Sequence, residues 1–410
     1  MNSETQIVKN ISSRLVLDAT CYRNYIPSEL VAIIGKYFQE ALDNETIKKA
    51  VNIWTCKELM EECLLRFGHI SYWDTSKVTD MNNLFRNQNS FNDDISNWDT
   101  SNVTDVCLMF YGAFSFNQPL EKWDVCNVAN MHAMFCCARS FNQPLERWNV
   151  SKVIDMSSVF SGASNFNQPL EQWNVSRVTN MDSMFNNAPR FNQPLEQWDV
   201  SKVMDMNYMF CCAVSFNQPL EHWDVSKVAN MDSMFYGCSR FNQPLEQWNV
   251  SRVTDMSHMF CGCSSFNQPL EQWDISKVTY IDFMFSSATS FNQSLERWNV
   301  SKVSIMNGMF HNATSFNKPL ERWNVSKVTF MSHMFNNATS FNQPLERWNV
   351  SKVSDVNDMF HNATSFNQPS KRWNVSKVTT MMVCSLTLLV SELISVFTTG
   401  KKFIVNMINK

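Results

Sequence analysis

Cysteine is the residue type in this sequence that most directly suggests metal chemistry. A structural zinc site needs four thiolate or imidazole ligands that converge on one point. The positions 25 residues on either side of Cys136 carry Tyr111 and Ser161, which do not extend such a ligand set. We therefore expect no metal site at the three places where cysteines cluster, which are Cys136-Cys137, Cys211-Cys212 and Cys261-Gly262-Cys263.

Two of the cysteines raise the question of a disulfide. Cys238 and Cys263 occupy equivalent positions 25 residues apart, where neighbouring segments have alanine. They are close enough to pair if oxidised, but we interpret them as small buried residues. The total of 13 cysteines is odd and fits free thiols in a reducing compartment.

Histidine and serine do not form a recognisable catalytic pattern. The seven histidines are scattered, and His311 and His361 share an equivalent position two segments apart. We find no Ser/His/Asp arrangement, and eight glycines leave little material for a phosphate-binding loop. The prediction is a noncatalytic protein that uses no cofactor.

These residues are positioned by a repeat of 25 residues. The pattern of residues 141–165 recurs almost without insertion or deletion, and a fixed period of this length indicates a repeat architecture. Thirteen copies are marked by Trp73, Trp98, Trp123, Trp148, Trp173, Trp198, Trp223, Trp248, Trp273, Trp298, Trp323, Trp348 and Trp373.

Each repeat has two apolar segments with different spacing. Leu120, Trp123 and Val125 follow an L-x-x-L-x-L-like spacing that predicts a short parallel strand. The apolar residues between Val128 and Ala138 are three or four apart, which predicts a short helix or 3₁₀ turn. A single repeat buries too little to fold alone, so the fold class is a leucine-rich-repeat-like solenoid in which neighbours share their apolar faces.

An asparagine follows the closing phenylalanine of each repeat. Asn92, Asn117 and Asn142 begin a series that continues to Asn367. A buried amide without hydrogen-bond partners is costly, so an unbroken series predicts a ladder in which each side chain is satisfied by its neighbours.

Both ends of the chain depart from the repeat. We assign residues 1–67 to an N-terminal helical cap, residues 68–382 to the repeats and residues 383–410 to a C-terminal cap or tail. Residues 15–40 weakly resemble the opening helix of an F-box, with Pro27, a Glu-Leu pair and spaced Ile and Leu. The apolar run 386–397 contains Glu392 and is shorter than the roughly 20 residues of a membrane span. A capping segment, a membrane tail and a poorly ordered end are the alternatives there.

The motif Phe-Asn-Gln-Pro-Leu-Glu-x-Trp-Asp/Asn-Val-Ser-Lys-Val-Thr-Asp/Asn-Met-x-x-Met-Phe resembles the BspA-type leucine-rich repeats of bacterial and mycoplasmal surface proteins. The resemblance covers about residues 68–382, and such repeats also occur in protists and large DNA viruses. It implies an interaction or adhesion protein without enzymatic activity. The N-terminus lacks the apolar core of a signal peptide, which favours an intracellular, cytoplasmic and viral-type member over a surface adhesin.

One break in the repeat suggests a protein-binding surface. A position that is Asp or Asn in most copies becomes Tyr280, Ile305 and Phe330 in three consecutive copies, with Phe283 close by in sequence. Exposed apolar side chains in adjacent repeats would form a contiguous patch of the kind that often binds proteins. A basic series, partly offset by Glu296, Glu321 and Glu346, accompanies it and consists of Arg297, Arg322, Arg347 and Arg372. Ordinary drift of the repeat is the alternative.

The overall charge and composition narrow the class of partner. A net charge of -4 provides no long-range attraction to nucleic acid. We expect a monomer that binds an unidentified protein and neither nucleic acid nor membrane. The main function hypothesis is a noncatalytic interaction scaffold. The alternatives are an F-box-type adaptor for a ubiquitin ligase and, if the chain is exported, a cell-surface adhesin.

Overall fold

The computed structural model describes residues 41–369 and 372–379. The predicted F-box-like segment 15–40 and the predicted C-terminal cap or tail 383–410 lie outside the described residues. Within the described ranges, no helix combines the length and the apolar character that crossing a bilayer requires.

Helix α1, Asn44–Trp54, begins at a capping box. The Asp43 carboxylate accepts hydrogen bonds from the backbone N–H groups of Glu45 (3.1 Å) and Thr46 (2.8 Å), and the Asp43 N–H donates to Thr46 Oγ1 (2.7 Å). These bonds satisfy donors that an uncapped helix start would leave unpaired. The helix is amphipathic, and its buried face consists of Ile47, Ala50, Val51 and Trp54.

Helix α2, Met60–Phe67, packs against α1 and leads into the repeats. It ends at Gly68, whose φ of 68° lies in the left-handed region that favours glycine. A 3₁₀-helix, Ile70–Tyr72, follows directly. The two α-helices lie within residues 1–67, which the sequence assigns to a helical cap, and are separated by residues 55–59.

The side chain of Asn44 replaces a missing repeat at the N-terminal end. In the repeats, the Thr104 N–H donates to the Thr79 carbonyl of the preceding coil at 2.9 Å, where a coil is one 25-residue repeat. Thr79 has no preceding coil, and its N–H instead donates to Asn44 Oδ1 at 2.8 Å. The N–H of Asp80 donates to the same oxygen at 3.1 Å. Helix α1 therefore caps the exposed backbone edge of the first coil, which would otherwise be open to pairing with another chain.

Successive coils are joined by a regular set of backbone hydrogen bonds. Four N–H groups at alternate positions of each coil donate to carbonyl groups of the next coil. In the first coil these pairs are Met81 to Asp105, Asn83 to Cys107, Phe85 to Met109 and Asn87 to Tyr111, at N···O distances of 3.0, 2.9, 2.8 and 2.7 Å. Because the same bonds recur in later coils, the 25-residue units stack in register and the protein is a tandem-repeat protein.

The predicted strand at Leu120–Val125 is wrong. The Trp123 N–H donates to the Leu120 carbonyl at 3.1 Å, which is a turn within the coil and not a ladder bond between coils. Parallel bridges instead lie at the column that begins with Asp80 and Asp105 and ends with Phe330 and Asp355. They are isolated bridges, and the described coils contain no longer strand.

Between Val128 and Ala138, where the sequence predicts a short helix or 3₁₀ turn, the structure has separate turns and no helix. Ala133 and Cys137 have φ values of 52° and 60°, and the equivalent residues of the other coils are likewise left-handed. Two left-handed residues in this stretch are incompatible with a right-handed helix. The segment consists of consecutive turns, in which the Cys136 N–H donates to the Ala133 carbonyl at 3.1 Å.

The core consists of columns of identical aromatic residues. Trp123 is 3% exposed and stacks on Trp98 and Trp148 with ring centroids 6.5 Å away on each side. Its Nε1–H donates to the Ile95 carbonyl of the preceding coil at 3.1 Å. Two phenylalanine columns pack beside the tryptophans, and Phe110 and Phe116 of one coil stack at 4.0 Å. The predicted tryptophans from Trp98 to Trp348 are thus both buried and hydrogen-bonded between coils.

The predicted asparagine ladder is present, but it is less buried than the sequence predicts. The Asn142 N–H donates to Asn117 Oδ1 at 2.9 Å, and the Gln143 side chain donates to the Asn117 carbonyl at 3.0 Å. The asparagine oxygen therefore bonds the backbone of the next asparagine. The column is half-buried along most of its length, so water is only partly excluded from it.

Candidate protein-interaction surface

The residue at each bridge position sets the local turn when it is aspartate. Asp80 Oδ1 accepts a hydrogen bond from the Asn82 N–H at 2.8 Å, and Asp155 Oδ1 accepts one from the Ser157 N–H at 2.8 Å. Short acidic side chains commonly bond the backbone two residues later in this way. We call this series of residues, from Asp80 to Asp355, the bridge column.

Three consecutive residues of the bridge column are apolar, and we call Tyr280, Ile305 and Phe330 the apolar patch. Parallel bridges join Tyr280 directly to Ile305 and Ile305 directly to Phe330. Tyr280 is 43% exposed, Phe330 is 41% exposed and Ile305 is half-buried. The structure thus brings together three side chains that are 25 residues apart in sequence and leaves them open to solvent.

The coil of Phe330 obtains its turn-stabilising acceptor from another residue. Phe330 has no carboxylate, and the N–H and hydroxyl of Ser332 donate to Asn307 Oδ1 of the preceding coil at 3.0 and 2.8 Å. Asn307 takes over the acceptor role that aspartate has in other coils. The Ser332 N–H therefore keeps a hydrogen-bond acceptor although residue 330 is apolar.

Phe283 lies beside a glycine that makes room for its ring. Its ring stacks on that of His258 with centroids 5.3 Å apart and an angle of 7° between the planes. A Cβ atom on Gly308 of the next coil would overlap the Phe283 ring. Phe283 is half-buried, so it contributes less free surface than Tyr280 or Phe330.

Carboxylates border the apolar patch. Asp255 and Asp355 occupy the bridge column on either side of it, and bridges join them to Tyr280 and Phe330. Asp282 Oδ1 accepts a hydrogen bond from the Ser257 hydroxyl at 2.8 Å. The surface therefore consists of an apolar centre with negative groups at its edges.

The family of the chain is shown by its repeats. The family model described as a Mycoplasma protein of unknown function, DUF285, matches residues 54–170, 143–243, 215–312 and 292–388. These overlapping matches cover well over half of the chain. The chain belongs to this DUF285 family. No curated protein matches it.

The basic series of this DUF285 protein is neutralised by glutamates. Arg297 Nε lies 3.9 Å from Glu271 Oε1, and Arg322 Nε lies 3.1 Å from Glu296 Oε1. The same pairing between neighbouring coils joins Arg347 to Glu321 at 3.3 Å and Arg372 to Glu346 at 3.3 Å. Exposed pairs of this kind contribute about 0–1 kcal/mol each. The predicted arginines are aligned on the surface, but they do not form an unpaired basic strip.

Burial disfavours the thiolate form of several cysteines in the DUF285 repeats. Burial raises the pKa of the Cys136 thiol to about 12, and that of Cys211 to about 12 for the same main reason. Cys238 and Cys263 are free and fully buried, and their thiols donate to the carbonyls of Phe210 and Phe235, each at 2.9 Å. Such cysteines are poor nucleophiles and poor metal ligands, because both roles require the thiolate.

Sequence reasoning missed one arrangement of histidine, serine and aspartate. His132 Nδ1 and Ser157 Oγ form a hydrogen bond of 2.7 Å, and Ser157 Oγ donates to Asp155 Oδ1 at 2.6 Å. The serine lies between the other two residues, whereas a catalytic triad has histidine in the middle. The Ser157 hydroxyl donates its proton to Asp155 and not to His132. The 25-residue separation of His132 and Ser157 was the signal that could have revealed this pair.

Proposed function

We propose that this DUF285 protein is a noncatalytic protein-interaction scaffold. In this proposal the stacked coils form a solenoid of the BspA-like, leucine-rich class, and the apolar patch is the contact surface. The observation that carries the proposal is the direct bridging of Tyr280, Ile305 and Phe330, which places apolar side chains in three consecutive coils, two of them exposed and that of Ile305 half-buried. A repeat protein presents such a surface on a rigid backbone, so little ordering is needed on binding.

The borders of the patch suggest the chemistry of the partner. Apolar side chains of a partner segment would lie against Tyr280, Ile305 and Phe330, while Lys or Arg on either side would face Asp255 and Asp355. Charge complementarity of this kind increases association rate and specificity more than affinity. We propose a protein segment with an apolar centre and basic flanks as the partner.

The noncatalytic part of the proposal is supported by the chemistry of the side chains described above. Ser157 is 4% exposed, so its hydroxyl is not accessible to a substrate. The thiols of Cys136 and Cys211 are held in the protonated form by burial.

An intracellular, reducing environment fits the buried cysteines. Cys238 and Cys263 use their S–H groups as hydrogen-bond donors to carbonyl oxygens. Only the reduced form has this proton. We therefore propose that the protein works where thiols remain reduced.

The test is a selection of peptides from a random display library against the full-length protein. We expect the bound peptides to share aromatic or aliphatic residues flanked by Lys or Arg. Their binding should fall at least about tenfold when Tyr280, Ile305 and Phe330 are all replaced by Asp, because the apolar centre of the peptide then faces carboxylates and loses its apolar contact.

The matched control is Met204→Asp. Met204 is 56% exposed and lies one residue before the bridge column in an earlier coil. This variant should bind the selected peptides like the wild type. Equal binding by the triple variant, or equal loss in the Met204→Asp control, would refute the proposed surface.

A further inference from the structure

A column of glutamates runs along the repeats two residues before each tryptophan, from Glu121 to Glu346. At both ends of the column an arginine of the following coil faces the carboxylate, as in the pairs of Arg147 with Glu121 at 3.1 Å and Arg322 with Glu296 at 3.1 Å. In the five middle coils, the residue that faces the glutamate is not an arginine. These facing residues are Gln172, Gln197, His222, Gln247 and Gln272.

His222 brings two glutamates of this column together. Its Nε2 lies 3.5 Å from Glu196 Oε1 of the preceding coil and 3.5 Å from Glu221 Oε1 of its own coil. The three potential ligand atoms all lie within 4.8 Å of one another. Across residues 41–369 and 372–379, no other three His, Cys, Asp or Glu side chains gather their ligand atoms this closely.

The three groups suit a particular class of metal ion. An imidazole nitrogen with two carboxylate oxygens is a ligand set used for zinc and related divalent transition metals. Calcium and magnesium prefer oxygen ligands alone. We infer that the protein binds a divalent transition-metal ion of the zinc class through Glu196, Glu221 and His222, with water completing its coordination.

The ligand distances require only a small adjustment. Ligands of a zinc ion lie about 2.0–2.2 Å from the metal, so the three donor atoms must approach one another slightly. Glu196 and Glu221 are half-buried and His222 is exposed, so these side chains are free to rotate toward a common point. The site is also next to the carboxylates of neighbouring coils, Glu171 and Glu246, which favour a bound cation by their charge.

The competing interpretation is that His222 merely replaces arginine in an ion pair. The two interpretations differ in what happens when Zn²⁺ is added to the full-length reduced protein, which isothermal titration calorimetry measures. We expect one binding site in the wild type. His222→Gln gives this coil the same residue as its neighbours at 197 and 247, and it should weaken binding by about tenfold or more.

A gain-of-site variant provides the stricter test. Gln172→His places an imidazole between Glu146 and Glu171 in the same geometry. This variant should therefore bind two Zn²⁺ ions where the wild type binds one. Titration with Co²⁺ tests for cysteine ligands, because thiolate ligands give an intense charge-transfer band. Unchanged Zn²⁺ binding in His222→Gln, a stoichiometry of one in Gln172→His, or a thiolate band would each overturn the inference. None of these results depends on the apolar patch.

Discussion

The tryptophan column and the bridge column differ in how much variation they tolerate. Each tryptophan from Trp98 to Trp348 is buried, stacks on at least one neighbouring tryptophan and donates its indole N–H to the preceding coil, as Trp198 does to the Leu170 carbonyl at 3.0 Å. A bridge-column residue contributes mainly its backbone, and the bridge from Asp255 to Tyr280 is parallel like that from Asp80 to Asp105. The comparison shows that the interior column holds the coils in register, whereas the outer column is free to change its chemistry.

The largest loss of stability is expected from a substitution in the tryptophan column. Trp198→Ala removes a buried ring from the centre of the stack and leaves the Leu170 carbonyl without its donor. We expect a loss of about 3–5 kcal/mol in the free energy of unfolding, measured by urea denaturation. Trp198→Phe keeps an aromatic ring and should lose less. Replacing Phe330 with Asp should change stability by only about 0.5 kcal/mol. Comparable losses at Trp198 and Phe330 would contradict the distinction between the two columns.

The second-largest loss of stability is expected from a substitution in the asparagine ladder. Asn192 Oδ1 accepts from the Asn217 N–H at 2.9 Å and from the Gln218 side chain at 3.1 Å. Asn192→Ala leaves these donors without that acceptor, and we expect a loss of about 1–3 kcal/mol by urea denaturation. Asn192→Asp keeps an acceptor oxygen and should lose less. If Asn192→Ala unfolds at the same urea concentration as the wild type, the ladder does not stabilise the stack.

A smaller effect is expected where Phe283 meets Gly308. Gly308→Ala adds a Cβ that overlaps the Phe283 ring at a residue whose φ is 54°. We expect the free energy of unfolding to fall by about 1–2 kcal/mol because of the left-handed conformation alone, and by more because of the overlap. In a double-mutant cycle, Phe283→Ser should relieve the overlap part of this loss. Strictly additive losses would show that the two residues do not interact.

The smallest effects concern two histidines whose pKa values shift in opposite directions. The hydrogen bond with Asp232 raises the pKa of His258, so its stabilising contribution is present below the unfolded value of about 6.5 and is lost as pH rises through the folded value. Burial lowers the pKa of His311, so its neutral form is favoured and stability falls as pH drops below about 6.5.

Variants at these histidines should therefore change the pH profile of stability in opposite senses. His258→Gln should reduce stability near pH 5.5 relative to wild type more than it does near pH 8. His311→Gln should instead improve relative stability as the pH is lowered. The measurement is the urea midpoint across this pH range, and parallel profiles for the two variants would contradict the assignments.

The sequence predicts the stacking well because it depends on identity at a fixed period. Trp123 and Asn142 recur in the same position of the repeat, and the structure places both in columns between coils. The turns could not be predicted in the same way. The left-handed position of Ala133 is Leu108 in one neighbouring coil and Phe283 in a later one, and neither residue type favours that conformation.

The spacing within each repeat was ambiguous for a physical reason. Consecutive turns bring residues three apart together, as a helix does, so the apolar spacing from Val128 to Ala138 fits both. The side-chain contacts between coils could not be predicted from a single repeat either. Contacts such as His132 with Ser157 and Glu196 with His222 join residues 25 or 26 apart, and comparison of adjacent repeats was needed to find them. The apolar patch can be predicted in this way, because its three residues share one position of the repeat.

The most direct test of the account is backbone hydrogen–deuterium exchange of the full-length protein with and without a selected peptide. If the interior holds the register and the apolar patch binds, added peptide should slow exchange around Tyr280, Ile305 and Phe330. Exchange in the coils of Asp105 and Asp155 should stay unchanged. Slower exchange spread evenly over all coils, or confined to coils outside 279–333, would contradict the account.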